Sequence, residues 1–91
     1  MKPKKQKYDQ FAEINEDFVD LGMHIAYYRK RAGLTQQELA DLLKVGRPYL
    51  SRIESPKKNQ HFSFELFFSI CRVLDIEPKY FFTPFPGPGS K

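Results

Sequence analysis

One cysteine, no tryptophan and only five glycines stand in a sequence of 91 residues. The single thiol, Cys71, has no partner for an internal disulfide, and neither it nor His24 nor His61 belongs to a cluster with metal-ligand spacing. The expectation is a fold without metal or cofactor, suited to a reducing compartment and held together by its core alone. The glycines form no phosphate-cradling loop, no nucleophile has a base beside it, and no carboxylate pair is set for a cleft, which argues against an enzyme. Apolar stretches fall far short of the roughly 18 residues that a membrane span requires. The opening Met1-Lys2-Pro3-Lys4-Lys5 has no signal-peptide core behind it, so a cytoplasmic protein with no membrane partner is expected.

What the chain does have is charge in blocks. The net charge is +4. Residues 1–8 hold four lysines and no acid; residues 9–28 carry five acids and no Lys or Arg; residues 29–58 carry eight bases against three acids. Excess positive charge on a mid-chain segment suits a polyanion such as nucleic acid, and on charge alone an ordinary solvated surface serves equally well.

Apolar residues at Phe11, Ile14, Phe18, Leu21, Ile25 and Tyr28 recur at helical spacing. Whether they form one long helix or two is left open by Gly22 and by the polar Asn15-Glu16-Asp17. Arg29-Lys30-Arg31 followed by Gly33 marks the end, with cations at the negative pole and a left-handed cap. Thr35 and Glu38 form a capping box that starts a second helix, whose inner face is Leu39, Ala40 and Leu43. Pro48 places the start of a third helix at Arg47 or Pro48. A polar loop runs from Ser55 to His61, and Ser63 is the expected N-cap of a fourth helix over 64–74. Its apolar stripe contains Phe64, Phe67, Phe68, Ile70, Cys71 and Leu74. Pro78 opens a short fifth helix to Phe82, and the Pro/Gly-rich tail 83–91 is expected to be extended or disordered. The division read from this pattern is a basic arm and acidic helical extension over 1–17, a helical domain over 18–82, and the tail.

Turned by about 100° per residue from Arg47, the third helix sorts into two faces. Leu50, Ile53 and Tyr49 fall on one; Arg47, Pro48, Ser51, Arg52 and Ser55 fall on the other, which contains no acid. Such a strip fits a DNA major groove, where arginine donates two hydrogen bonds to guanine and small residues allow close approach. Gln36, in the first turn of the second helix, is placed to bond a phosphate and so to fix position rather than sequence.

With the string RKRAGLTQQELADLL (Arg29–Leu43), the SRIE of Ser51–Glu54 and SFELFFSICRVLDI (Ser63–Ile76), the chain from Leu21 to about Ile76 resembles the phage-repressor-like helix-turn-helix family, the Cro/C1 or XRE type. The resemblance implies an all-α, five-helix, lambda-repressor-like DNA-binding domain, here with an extra N-terminal helical segment, which binds double-stranded DNA as a homodimer. It implies base contacts from Arg47, Pro48, Ser51 and Arg52, phosphate contacts from Thr35, Gln36, Tyr49, Lys57 and Lys58, and a buried ion pair between Arg29 and Glu54. Three positions depart from the family pattern. Lys44 stands where a turn glycine is usual, so either a lysine is held at positive φ or the turn differs. Pro48 has no polar side chain to offer a base, and the loop after Glu54 is about two residues longer, with Pro56 near the usual glycine.

The remaining residues have plainer readings. Cys71 is expected to be a buried structural thiol, His24 and His61 surface or loop histidines, and most phenylalanines of the fourth helix core. Nine phenylalanines are too many for one small core, which leaves Tyr80, Phe81, Phe82 and Phe85 as candidates for a partner surface, unless the tail folds back on its own domain. The function that follows is a sequence-specific transcriptional regulator, in the simplest case a repressor. The alternative is a protein-interaction module on the same fold, such as an antitoxin.

Overall fold

The computed structural model describes residues 10–84; the lysine arm before Gln10 and the tail from Phe85 onward lie outside the described residues. The order of elements is α1 (Gln10–Arg31), α2 (Gln36–Leu43), α3 (Arg47–Glu54), α4 (Phe64–Leu74) and a closing 3-10 helix, Pro78–Phe82. No strand occurs among the described residues, and the architecture is all-α. The fifth helical element is thus a tight 3-10 turn rather than an α-helix.

The caps follow the local chemistry. Gly33, at φ +77°, ends α1, and the amides of Gly33 and Leu34 return to the carbonyls of Lys30 and Arg29. Thr35 Oγ1 accepts from the Glu38 amide at 3.0 Å while Glu38 Oε1 accepts from the Thr35 amide at 2.9 Å, closing the capping box. Lys44 is left-handed at φ 62°, ψ 41°, so the lysine does take the position that favours glycine, at a cost of about 1 kcal/mol. Gly46, at φ −76°, caps α3, whose first residue is Arg47. Ser63 Oγ accepts from the Leu66 amide at the start of α4.

α1 is a single helix of 22 residues, which resolves the question that Gly22 raised. Glycine is there for contact: a β-carbon on Gly22 would overlap the carbonyl oxygen of Ile53, so the backbones of α1 and α3 pack directly against each other. Ile25 from α1, Leu39, Ala40 and Leu43 from α2, Leu50 and Ile53 from α3, and Phe67, Ile70, Cys71 and Leu74 from α4 form the core, with Phe81 beneath them. Burial pushes the Cys71 thiol pKa upward, because the thiolate would be desolvated.

Two expectations need correction. His24 is not a surface histidine but is buried: Nδ1 lies 2.8 Å from the Asp20 carbonyl and Nε2 lies 3.0 Å from that of Thr83, tying the end of the 3-10 helix to α1. The aromatic rings also divide differently. Phe81 is core, whereas Phe64 and Phe68 of α4 stand 75% and 50% exposed and stack on each other at 6.0 Å. The reason is geometric. Phe64 occupies the first turn of α4, beyond the edge of the core, while Phe81 inserts edge-on between Phe67 and Tyr28.

Substituting Gly22 by alanine separates packing from propensity. In an unhindered helix the change would stabilise by about 1 kcal/mol. Here the expected outcome is destabilisation by about 1–3 kcal/mol, because α1 and α3 must move apart. A thermal or denaturant melt reads the sign.

Candidate nucleic-acid interface

The interface is built around one buried carboxylate. Glu54, in the last turn of α3, accepts Arg29 Nε on Oε2 at 2.8 Å and Arg29 Nη2 on Oε1 at 2.9 Å. The side chains are 8% (Arg29) and 4% (Glu54) exposed. Arg29 also donates from Nη1 to the Leu34 carbonyl at 2.8 Å, so all three guanidinium nitrogens donate. The bidentate geometry and the extra carbonyl acceptor are what a buried ion pair requires to offset its desolvation. Glu54 Oε1 accepts a third donor, Gln36 Nε2, at 2.9 Å.

That third bond fixes how Gln36 faces outward. A carboxylate only accepts, so the amide nitrogen must turn in toward Glu54 and the amide oxygen turns away from it. Arg47 Nη1 reaches that oxygen across a long contact of 3.5 Å. Gln36 therefore links the α1–α3 ion pair to the first residue of α3, and uses one of its two amide N–H groups to do so. The half-buried Gln36 and the exposed Thr35 sit at the start of α2, where free backbone amides and the positive end of the dipole favour an anion.

Along α3, Arg47, Pro48 and Arg52 are exposed and Ser51 is half-buried, while Leu50, Ile53 and Glu54 are buried. The outer face carries two arginines and no acid. Tyr49 is half-buried, and the Arg52 guanidinium lies 5.8 Å from its ring centroid. Arg52 Nε donates to Gln60 Oε1 at 3.1 Å, a partner in the loop that the linear pattern gives no sign of. Lys57 and Lys58 are exposed on the same loop, which turns through Asn59 at φ 49°.

The loop is anchored to α1. His61 stacks on Phe18 with ring centroids 4.3 Å apart and donates from Nε2 to Asn15 Oδ1 at 2.7 Å. Phe62 meets the same Phe18 edge-on at 5.1 Å. Periodicity marks Phe18 as apolar but cannot indicate that a histidine more than forty positions away covers it.

Glu54→Ala strands Arg29 in the interior and removes the acceptor of Gln36. The expected loss is about 3–5 kcal/mol, read as a fall in denaturation midpoint. An effect well below 1 kcal/mol, the value of an exposed pair, would contradict the burial described here.

Among the described residues no group of three or more His, Cys, Asp or Glu side chains could hold a metal ion. A helix-turn-helix family model matches residues 25–81, which spans the end of α1 through Phe81 and so covers α2, α3, α4 and the capping box between Thr35 and Glu38. Comparison with curated proteins gives no match. The matched region is a DNA-binding fold without catalytic machinery, and it includes the whole arginine-bearing face of α3. With the family model covering more than half of its length, the chain belongs to the helix-turn-helix family of the phage-repressor-like, Cro/C1 type.

Proposed function

We propose that this protein is a sequence-specific transcriptional regulator, acting as a repressor, that reads the DNA major groove with α3. The observation that carries the reading is the exposed, acid-free strip of Arg47, Pro48, Ser51 and Arg52, backed by the buried Leu50 and Ile53. In this reading the arginines donate to guanine, Ser51 bonds a base edge, and the Pro48 ring touches a thymine methyl. Thr35, Tyr49, Lys57 and Lys58 meet phosphates, together with the backbone amides at the start of α2 beside Gln36. Residues 18–82 form the reading unit, residues 1–17 its extension, of which Asn15 on the continuous α1 helps to hold the loop of that unit, and 83–91 its tail. The protein acts where its DNA is, in the cytoplasm; no helix among the described residues is long and apolar enough to cross a membrane.

The reading includes a homodimer. One recognition helix covers only a few base pairs, and a two-fold partner sets a second helix about 34 Å along the same face of the duplex. The support is the exposed aromatic surface formed by Phe64, Phe68 and Phe82. Phe82 lies 5.7 Å from the Phe67 ring, which also touches Phe68, so these side chains make a continuous apolar face. The same face supports the alternative, an antitoxin whose partner is another protein.

Binding to sites selected from random DNA tests the reading. Arg47→Ala combined with Arg52→Ala is expected to abolish selection, each arginine contributing about 1–3 kcal/mol. With four or five phosphates neutralised, affinity is expected to fall roughly a hundredfold or more between about 50 and 200 mM salt. A flat salt response together with unchanged binding by the double variant would leave the protein-interaction reading instead.

Dimerisation is tested separately by sedimentation of the full-length chain. The wild type is expected to associate at micromolar concentration, and Phe68→Ser with Phe82→Ser to be monomeric with little change in melting temperature. A wild type that stays monomeric into the high micromolar range would confine dimerisation to the operator.

A further inference from the structure

Each of the two arginines on the outer face of α3 meets a glutamine oxygen, Arg47 that of Gln36 and Arg52 that of Gln60. Gln36 belongs to α2, whereas Gln60 comes from the loop between α3 and α4. Its amide nitrogen donates to the His61 carbonyl at 2.9 Å, and its amide oxygen accepts from Arg52 Nε at 3.1 Å. The two ends of a primary amide differ in kind. Spending the donor end on a backbone carbonyl turns the acceptor end toward the guanidinium.

The consequence for Arg52 is specific. Its Nε is taken by Gln60, and one face of the guanidinium lies over the Tyr49 ring. The two Nη groups make no hydrogen bond among the described residues, and they are the fork that pairs with guanine O6 and N7. Gln60 is in turn held by its neighbour: His61 is stacked on Phe18 and bonded to Asn15. A line of contacts therefore runs from the early turns of α1, through His61 and Gln60, to an arginine on the groove-facing side.

We propose that Gln60 is a positioning residue for DNA reading, which sets sequence preference by holding Arg52 with its Nη edge turned toward the base. The proposal rests on α3 being the recognition helix, as proposed above. Holding a long side chain in one orientation before binding removes part of the ordering entropy that association otherwise costs, which is worth roughly three- to tenfold in affinity per side chain.

The test uses the full-length protein as wild type, Gln60→Ala, Arg52→Ala and the double variant. Without DNA, solvent exchange of the Arg52 Nε proton is measured by NMR, with the exposed Arg72 as internal reference. The expected result is slower exchange at Arg52 than at Arg72, accelerated severalfold in Gln60→Ala at unchanged melting temperature. On the site selected by the wild type, Gln60→Ala is expected to lose roughly three- to tenfold in affinity and to relax preference at the one base pair that Arg52→Ala also relaxes. In the Arg52→Ala background it is expected to change nothing further. Unaltered exchange in Gln60→Ala, additive losses in the double variant, or relaxed preference at a different base pair would each overturn the proposal alone. If the wild type selects no sequence, or Arg52→Ala leaves selection intact, the recognition-helix reading fails and the proposal falls with it.

Discussion

The arrangement of three helices depends on the carboxylate of Glu54. It lies at the C-terminal end of α3, where the helix dipole disfavours a negative charge, and it is buried as well. Both costs are offset by Arg29, which sits in the last turn of α1 where a cation is favoured and brings two donors to the carboxylate. Gln36 adds a donor from α2. A single side chain thus fixes α1, α2 and α3 relative to one another, and the direction of the outer face of α3 follows from that fixing. Hydrophobic burial supplies the stability of such a core but little direction; the hydrogen bonds at Glu54 supply the direction.

The direct backbone contact at Gly22 works with the carboxylate. Because α1 carries no side chain there, α3 lies close enough for Glu54 to meet Arg29 two helical turns further along α1. Neither Gly22 nor the anchors at Asn15 and Phe18 fall inside the matched region, residues 25–81. The early part of α1 is nonetheless integral to the unit, since it supports both α3 and the loop that follows it.

Features that depend on a few consecutive residues were legible in the sequence. The capping box at Thr35 and Glu38, the left-handed Gly33, the bounds of α4 and the two faces of α3 all follow from local spacing. Lys44 was legible only as a choice between a strained lysine and another turn, because propensity cannot weigh one unfavourable φ against the packing of Val45 and the amide contacts to Ala40 and Asp41. What stayed hidden is relational. The commitment of Gln36 to Glu54, the hold of Gln60 on Arg52 and the burial of His24 each join residues far apart in sequence and polar in character, and such residues leave no periodic trace. The aromatic residues misled for a similar reason. Spacing identifies an apolar face of α4 but not where the core ends along it, so Phe64 and Phe67 look equivalent although one is exposed and the other buried.

The thiol of Cys71 gives the molecule a built-in gauge. It is the only sulfhydryl in the chain and lies in the core at 5% exposure, where desolvation keeps it protonated. Cys71 also borders the surface hollow formed by Phe68, Arg72, Ile76 and Pro78, so the little thiol surface that remains is approached from the side where α4 meets the closing 3-10 helix. Burial and the raised pKa both slow its reaction with a thiol reagent, so faster labelling marks a loosening of α4 against the closing 3-10 helix. One side chain of the core therefore reports how firmly the packing behind α3 is held.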